Sequence, residues 1–309
     1  MAEIILAFVQ ALLLVLLAPL VSGTARWMRA KMHARKGPSI LQDYYDIAKL
    51  LKRQDVGTAH SSFVFRITPP LFFGCMLVLA CGVPMITRFC PVPALGDVIT
   101  VVYLLALPRF FFALAAVDSS DAYAGIGGVR ELIVGVLVEP ALMLGLFVAA
   151  LATGTTNIGE MGVAVGSLQV TSPVGLVIAG IAFAMACYIE LGKVPFDMAE
   201  AEQEIQEGPL SEYSGPSLAM LKVSLAMKQV IMAAFFVAVF MPFGSAVDCT
   251  LPALIAGAAV FAVKLIVVFF ICSLVENSMM RVRYKLMGRQ TWAVVGVAAL
   301  GLVFCILGI

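Results

Sequence analysis

The sequence predicts an all-α, polytopic integral membrane protein with about eight transmembrane helices. Three observations carry that expectation. The 309 residues are 62% hydrophobic and only 13% charged, against about 45–50% and about 25% in a soluble globular chain. Several apolar runs exceed the roughly 18–20 residues that a bilayer core requires. Basic residues, finally, gather in alternate connections between those runs.

In order, the runs lie at about 3–24, 69–89, 97–117, 129–153, 172–191, 218–243, 251–275 and 291–309. Only helices and closed barrels satisfy backbone groups in hydrocarbon, and runs this long are helices. The first connection holds Arg26, Arg29, Lys31, Arg35, Lys36, Lys49, Lys52, Arg53 and Arg66. The seventh holds Arg281, Arg283, Lys285 and Arg289, whereas the even-numbered connections offer only Arg88. The positive-inside rule then places odd connections in the cytoplasm and both termini outside. No Lys or Arg precedes the first run, so it does not read as a secretory signal. No long linker, low-complexity tract or repeat divides the chain. Residues 1–309 therefore read as a single integral membrane domain, with a basic connection over 26–66 and an acidic one over 190–217.

Composition also excludes classes of function. A net charge of +1 gives no broad basic surface for nucleic acid. The seven cysteines form no CxxC pair and read as small core residues, with a Cys90–Cys249 disulfide as the open alternative. With only His33 and His60 there is no soft-ligand cluster for haem, zinc or an iron–sulfur centre. Redox chemistry is expected in partner proteins, with no metal ligand in this chain.

The fifth connection is the most unusual stretch: ELGKVPFDMAEAEQEIQEGPLSEYSG sets Glu190, Asp197, Glu200, Glu202, Glu204, Glu207 and Glu212 against Lys193. Pro195 suits a first helical turn and Gly208-Pro209 a stop, which predicts a helix from about Pro195 to Glu207. At 100° per residue Asp197, Glu200, Glu204 and Glu207 would fall within about 80°, with Glu202 opposite. Such a stripe repels itself, and near a low-dielectric wall its members should take up protons. A solvated acidic face, or a dock for a basic partner, is the plainer reading.

The first connection contains GPSILQDYYDIAKLLKRQ. Ser39 suits an N-cap, Asp43 the positive end of a helix, and Lys49, Lys52 and Arg53 its negative end. Ile40, Tyr44, Ile47 and Leu51 make one apolar face, as in an amphipathic helix on a membrane surface or under a partner.

Charges also fall within the spans. Arg109 follows Pro108; Glu131 and Glu139 lie two turns apart on the fourth span; Lys222 and Lys228 belong to the sixth, Lys264 and Glu276 to the seventh. A charge at mid-bilayer costs between about 2.5 and more than 10 kcal/mol, so such groups face partners or wet cavities. Arg130, Lys222 and Glu276 are near enough to an interface to snorkel. Arg109, Glu139 and Lys264 are not, and the choice for them lies between a structural ion pair and a hydrated path for protons or ions.

These residues resemble a known family. The fifth connection resembles the signature of subunit 1 of respiratory complex I, which runs E-x-x-R-x-PFD-x-x-E-x-E-x-E-L-x-x-G and continues to EYSG. RKGPSILQDYYDIAKLLKRQ, YLLALPRFFFALAAVDSSDAYAGIGGVREL, VLVEP and LVENSMMRVR are most similar to the branch in membrane-bound group 4 [NiFe] hydrogenases, typified by formate hydrogenlyase subunit 4 and hydrogenase-4 component C. The resemblance runs in order along nearly the whole chain and also implies eight spans. It implies a proton path through Glu139, Glu190, Asp197, Glu200, Glu202 and Glu204, with Arg109 and Arg130 as supporting charges beside Lys264. It further implies that Arg35, Lys36, Asp43, Asp46, Glu207, Glu212, Tyr213, Arg281 and Arg283 meet partners. Those partners would be [NiFe] hydrogenase large and small subunits, iron–sulfur subunits and an antiporter-like membrane subunit, with lipids around them. The [NiFe] centre and iron–sulfur clusters would sit in those subunits, and the site of action would be a bacterial or archaeal cytoplasmic membrane. GPSILQDYYD departs from the GPN-x-x-G-type motif of complex I, which sets quinone binding apart as the rival reading. A dry, collapsed space between the first and fifth connections would favour the hydrogenase branch. A secondary ion transporter is the alternative from another class, though such folds usually show repeats.

Overall fold

The computed structural model describes residues 2–58, 61–199 and 201–308, with only the backbone for Ala2, Glu202 and Gln203. Eight helices are long and apolar enough to cross a membrane. They are α1 (Ala2–Met32), α3 (Phe63–Gly82), α4 (Val98–Asp118), α5 (Ala122–Thr153), α7 (Pro173–Glu190), α9 (Gly215–Phe240), α10 (Leu251–Ser278) and α11 (Tyr284–Leu307). Three shorter helices join them: α2 (Gln42–Leu51), α6 (Ile158–Gly166) and α8 (Glu202–Ile205). No strand occurs among the described residues. Helix starts are set by side chains: Ser62, Asp97, Asp121, Asn157 and Ser172 each accept a backbone N–H of the following turn.

Two sequence expectations shift. The second span was expected to reach residue 89, but α3 stops at Gly82. Pro84 and Pro91 interrupt the apolar continuation, which turns back over the bundle with Val83, Met85 and Cys90 buried. Hydropathy measures burial, and a buried loop is as apolar as a span. α2 forms where expected, yet the Ser39 hydroxyl does not cap it; its carbonyl accepts from Gln42 N–H at 3.1 Å in a preceding turn.

α9 is the central helix, with Leu221, Met227, Ile231, Ala234 and Phe235 almost fully buried, and it packs on α1, α3, α6 and α7. α10 is the most peripheral. At one end of the bundle the first, third, fifth and seventh connections meet; we term it the charged end.

The EYSG element is a weld at that end. Tyr213 is buried, stacks on Phe65 with ring centroids 4.0 Å apart, and donates its O–H to the Phe65 carbonyl at 3.0 Å. Ser214 Oγ accepts from Val56 N–H and donates to Val56 O. Gly215 has φ +51°, and a Cβ there would lie 2.5 Å from the Gln54 carbonyl oxygen, so only glycine fits. Tyr213, expected at a partner surface, is thus an internal strut. Burial disfavours its phenolate, the Asp118 and Asp55 carboxylates add to that, and its pKa is raised. Tyr213→Phe should cost about 1 kcal/mol by leaving the Phe65 carbonyl short of a donor; a lowered thermal midpoint in detergent checks it.

Candidate functional site: a buried ion cluster beneath a charged cavity

α5 presents Glu131, Gly135 and Glu139 at intervals of four, so the three share a face. Arg109 of α4 lies flat across that face. Its Nε is 3.8 Å from Glu131 Oε1, its Nη1 is 3.0 Å from Glu139 Oε1, and its Nη2 donates to Glu190 Oε1 at the end of α7. A Cβ on Gly135 would stand 2.2 Å from Nη1 and 2.7 Å from Cδ, so the missing side chain is the bed of the guanidinium. From α9, Lys228 Nζ approaches Glu190 Oε1 at 2.9 Å and Glu131 Oε1 at 3.6 Å. Arg109, Glu190 and Lys228 are buried, whereas the Glu139 side chain keeps 36% of its surface exposed.

The arrangement thus joins four helices through three carboxylates and two cations. Glu190 takes both cations on a single oxygen. Charge-assisted bonds of this kind hold buried ions that would otherwise be expelled.

Above the cluster, toward the charged end, lies a cavity of about 390 Å³ bounded by α1, α2, α5, α7, α9, α10 and the fifth connection. Its walls carry Arg29, Asp46, Glu131, Glu190, Lys228 and Glu276 among others. It is open, not collapsed. Arg26 ion-pairs with Asp43 across the α1–α2 contact, and Arg29 Nη1 sits 3.4 Å from Glu276 Oε2. Lys193 also lines it, its ammonium 5.2 Å from the Phe269 ring centroid. Burial lowers the Lys193 pKa from its ordinary value, with Glu276 opposing. Below the cluster a second cavity of about 10 Å³ touches Arg109, Glu139 and Glu190, and has room for about one water.

The fifth connection does not form the helix expected from Pro195 to Glu207. The Val194–Pro195 bond is cis, the described residues between Pro195 and Glu207 form a single α-helical turn, α8, and Gln206, Glu207 and Gly208 have positive φ. Gly208 meets Gly127 of α5 and the Ala199 carbonyl so closely that a Cβ would stand 2.1 Å from that oxygen. Among the described acids, Asp197 and Glu204 accordingly turn to different bases instead of sharing a stripe. Asp197 pairs with Arg281 at 2.8 Å, Glu204 with Arg130 at 2.7 Å, and Val282 N–H donates to Pro195 O at 3.2 Å. These bonds pin the segment over the cavity as a fixed cover. Within it Met198, Ala199 and Ala201 are buried.

A family model described as NADH dehydrogenase matches residues 4–307. The chain belongs to this family, that of complex I subunit 1. Within the family it is 47% identical over 306 residues to hydrogenase-4 component C of Escherichia coli (strain K12), covering 99% of this chain and 97% of that one. It is 46% identical over 301 residues to formate hydrogenlyase subunit 4 of the same organism, covering 97% and 98%. Among solved structures it is similar, with a TM-score of 0.84 and 27% identity over 97% of this chain and 99% of the other, to a chain of the membrane-bound sulfane sulfur reductase, an archaeal respiratory membrane complex. The chain is therefore a multi-span membrane protein of the complex I subunit 1 family whose relatives are subunits of hydrogenase and respiratory membrane complexes.

Of the family residues named from the sequence, the structure brings Arg109, Glu139 and Glu190 into one cluster and places Asp197 on the wall of the adjoining cavity. Glu200 and the Glu202 side chain lie outside the described residues. Arg130 and Glu204 pair with each other at the cover, and Arg130 also lies over Tyr284. Lys264 stands apart, bonded to the Met241 carbonyl near the opposite end. Arg35, Lys36, Glu207 and Arg283 are exposed at the charged end, whereas Asp43 is buried in its bond with Arg26, and Arg281 is half-buried in its bond with Asp197. Asp46 is half-buried and accepts from Gln42, and Glu212 is half-buried beside the weld. Glu131, Lys228 and Gly135 join the cluster without having been among the family residues named. The signal for Gly135 was present as E-x-x-x-G-x-x-x-E. Among the described residues no three His, Cys, Asp or Glu side chains converge as a metal site requires.

Proposed function

We propose that this chain is the membrane subunit of a formate hydrogenlyase or hydrogenase-4-like complex. It anchors the [NiFe] large and small subunits and the iron–sulfur subunits on its charged end, which faces the cytoplasm with both termini outside. It supplies no metal ligand; the metal centres belong to the docked subunits. Its own contribution is a charged path that couples H2 production to ion translocation across a bacterial or archaeal cytoplasmic membrane, alongside an antiporter-like membrane subunit.

The observation that carries this reading is the unbroken chain of contacts from the cavity wall through Glu190 and Arg109 to Glu139. Three carboxylates against two cations leave the cluster with one more negative charge than positive, so it is a site where a mobile cation or proton would be attracted. The exposed Arg35, Lys36 and Arg283 suit docking by acidic surfaces around the cover. The test is Glu190→Gln and Glu139→Gln in the assembled complex. H2 production driven through the partners should fall about tenfold or more, with co-purification of the hydrogenase subunits unchanged. Full activity and full ion movement in both variants would reduce the chain to an anchor.

A second reading, a quinone-site subunit of the complex I type, draws support from the cavity being open. Its ionic walls suit water better than a long apolar tail. Stoichiometric quinone extracted from the purified complex would favour this second reading.

A further inference from the structure

At the end opposite the charged one, two cations lie along the same loop, and neither makes an ion pair among the described residues. Arg88 lies on the connection after α3, which runs beside residues 241–246: Arg88 N–H donates to Ala246 O at 2.9 Å and Ala246 N–H to Ile86 O at 3.0 Å. Its guanidinium is laid against α6, where a Cβ on Gly166 would be 3.1 Å from Nη1. Nε is buried and has no hydrogen-bond partner, and no ion pair engages the group among the described residues. From α10, Lys264 reaches back to the same loop, its Nζ 2.6 Å from the Met241 carbonyl. The two charges repel each other.

Arg88 is not needed to close the end of α6. Ser167, Leu168 and Gln169 N–H groups already bond the Val163, Val165 and Ala164 carbonyls, and the Ser167 hydroxyl donates there too. The two cations are flanked by exposed apolar side chains, Met241, Phe243 and Val263, beside the membrane-spanning helix α10. Two unmatched cations at such an edge lack an anion with an apolar tail.

We propose that Arg88 and Lys264 together bind the phosphate of an acidic phospholipid, whose acyl chains run along α10. The phosphate oxygens take the Nη donors of Arg88 and the two spare donors of Lys264. The acyl chains cover the exposed Val263, Val267 and Phe270.

The test is native mass spectrometry of the full chain purified in mild detergent, delipidated and titrated with phosphatidylglycerol, phosphatidylethanolamine or inorganic phosphate. Phosphatidylglycerol should bind at one site per chain and survive excess inorganic phosphate. R88Q/K264Q should weaken that binding at least about tenfold, while R88K/K264R retains it. A thermal melt of each variant shows that the fold persists. Equal binding by wild type and R88Q/K264Q overturns the proposal. So does equal preference for phosphatidylethanolamine, or displacement by inorganic phosphate.

Discussion

Arg109→Met is expected to destabilise the chain by about 3–5 kcal/mol, the usual result of removing one side of a buried ion pair. The substitution leaves Glu131, Glu139 and Glu190 around Lys228 alone, and Lys228 does not reach Glu139 by any ion pair. The readout is the amount of chain recovered in membranes and its thermal midpoint in detergent. Adding Glu190→Gln to Arg109→Met should restore part of the loss, since it removes the charge most dependent on the guanidinium. A variant as stable as the parent would mean that the three carboxylates reach water on their own.

Gly135→Val should have nearly the same effect although no charged group is touched. Any Cβ there falls within 2.2 Å of Arg109 Nη1 and 2.9 Å of Cζ, so the guanidinium must leave the face of α5. Displacement breaks its geometry with Glu131 and Glu139 together, and overpacking alone costs typically about 1–3 kcal/mol. Activity of the assembled complex should fall with stability. The decisive measurement is the double variant: Gly135→Val added to Arg109→Met should cost little more than Arg109→Met alone. Full additivity would show that Gly135 matters for some other contact.

Much of this architecture was legible in the sequence because membranes impose few solutions. Length and hydropathy placed the eight spans, and charge placement separated the two ends of the bundle. Charges inside spans singled out Arg109 and Glu139 because an ion in hydrocarbon demands an explanation, and Glu190 came from the acidic connection and its family signature. The failures have physical causes of their own. α3 was overextended because the loop after it is as apolar as the helix. The acidic connection was read as one helix from its prolines and spacing, but long-range pairing with Arg130 and Arg281 decided its path. Tyr213 sits within a family signature, which sequence alone could not distinguish as a docking surface or an internal weld. Lys264 satisfied the same rule as Arg109, since depth along a helix does not say which neighbour a long side chain reaches. Gly135 passed unnoticed because the property that matters there is the absence of atoms.

Glu139 carries one more consequence. It lies about 25 Å along α5 from the charged end, yet over a third of its side chain is uncovered. No hydrocarbon tail can sit against an ionised oxygen there without a penalty of several kcal/mol. On the function proposed above, that flank of α5 is where a neighbouring polypeptide would bring donors or water of its own. On that reading the path continues from Glu139 sideways, within the plane of the bilayer, through atoms this chain does not possess.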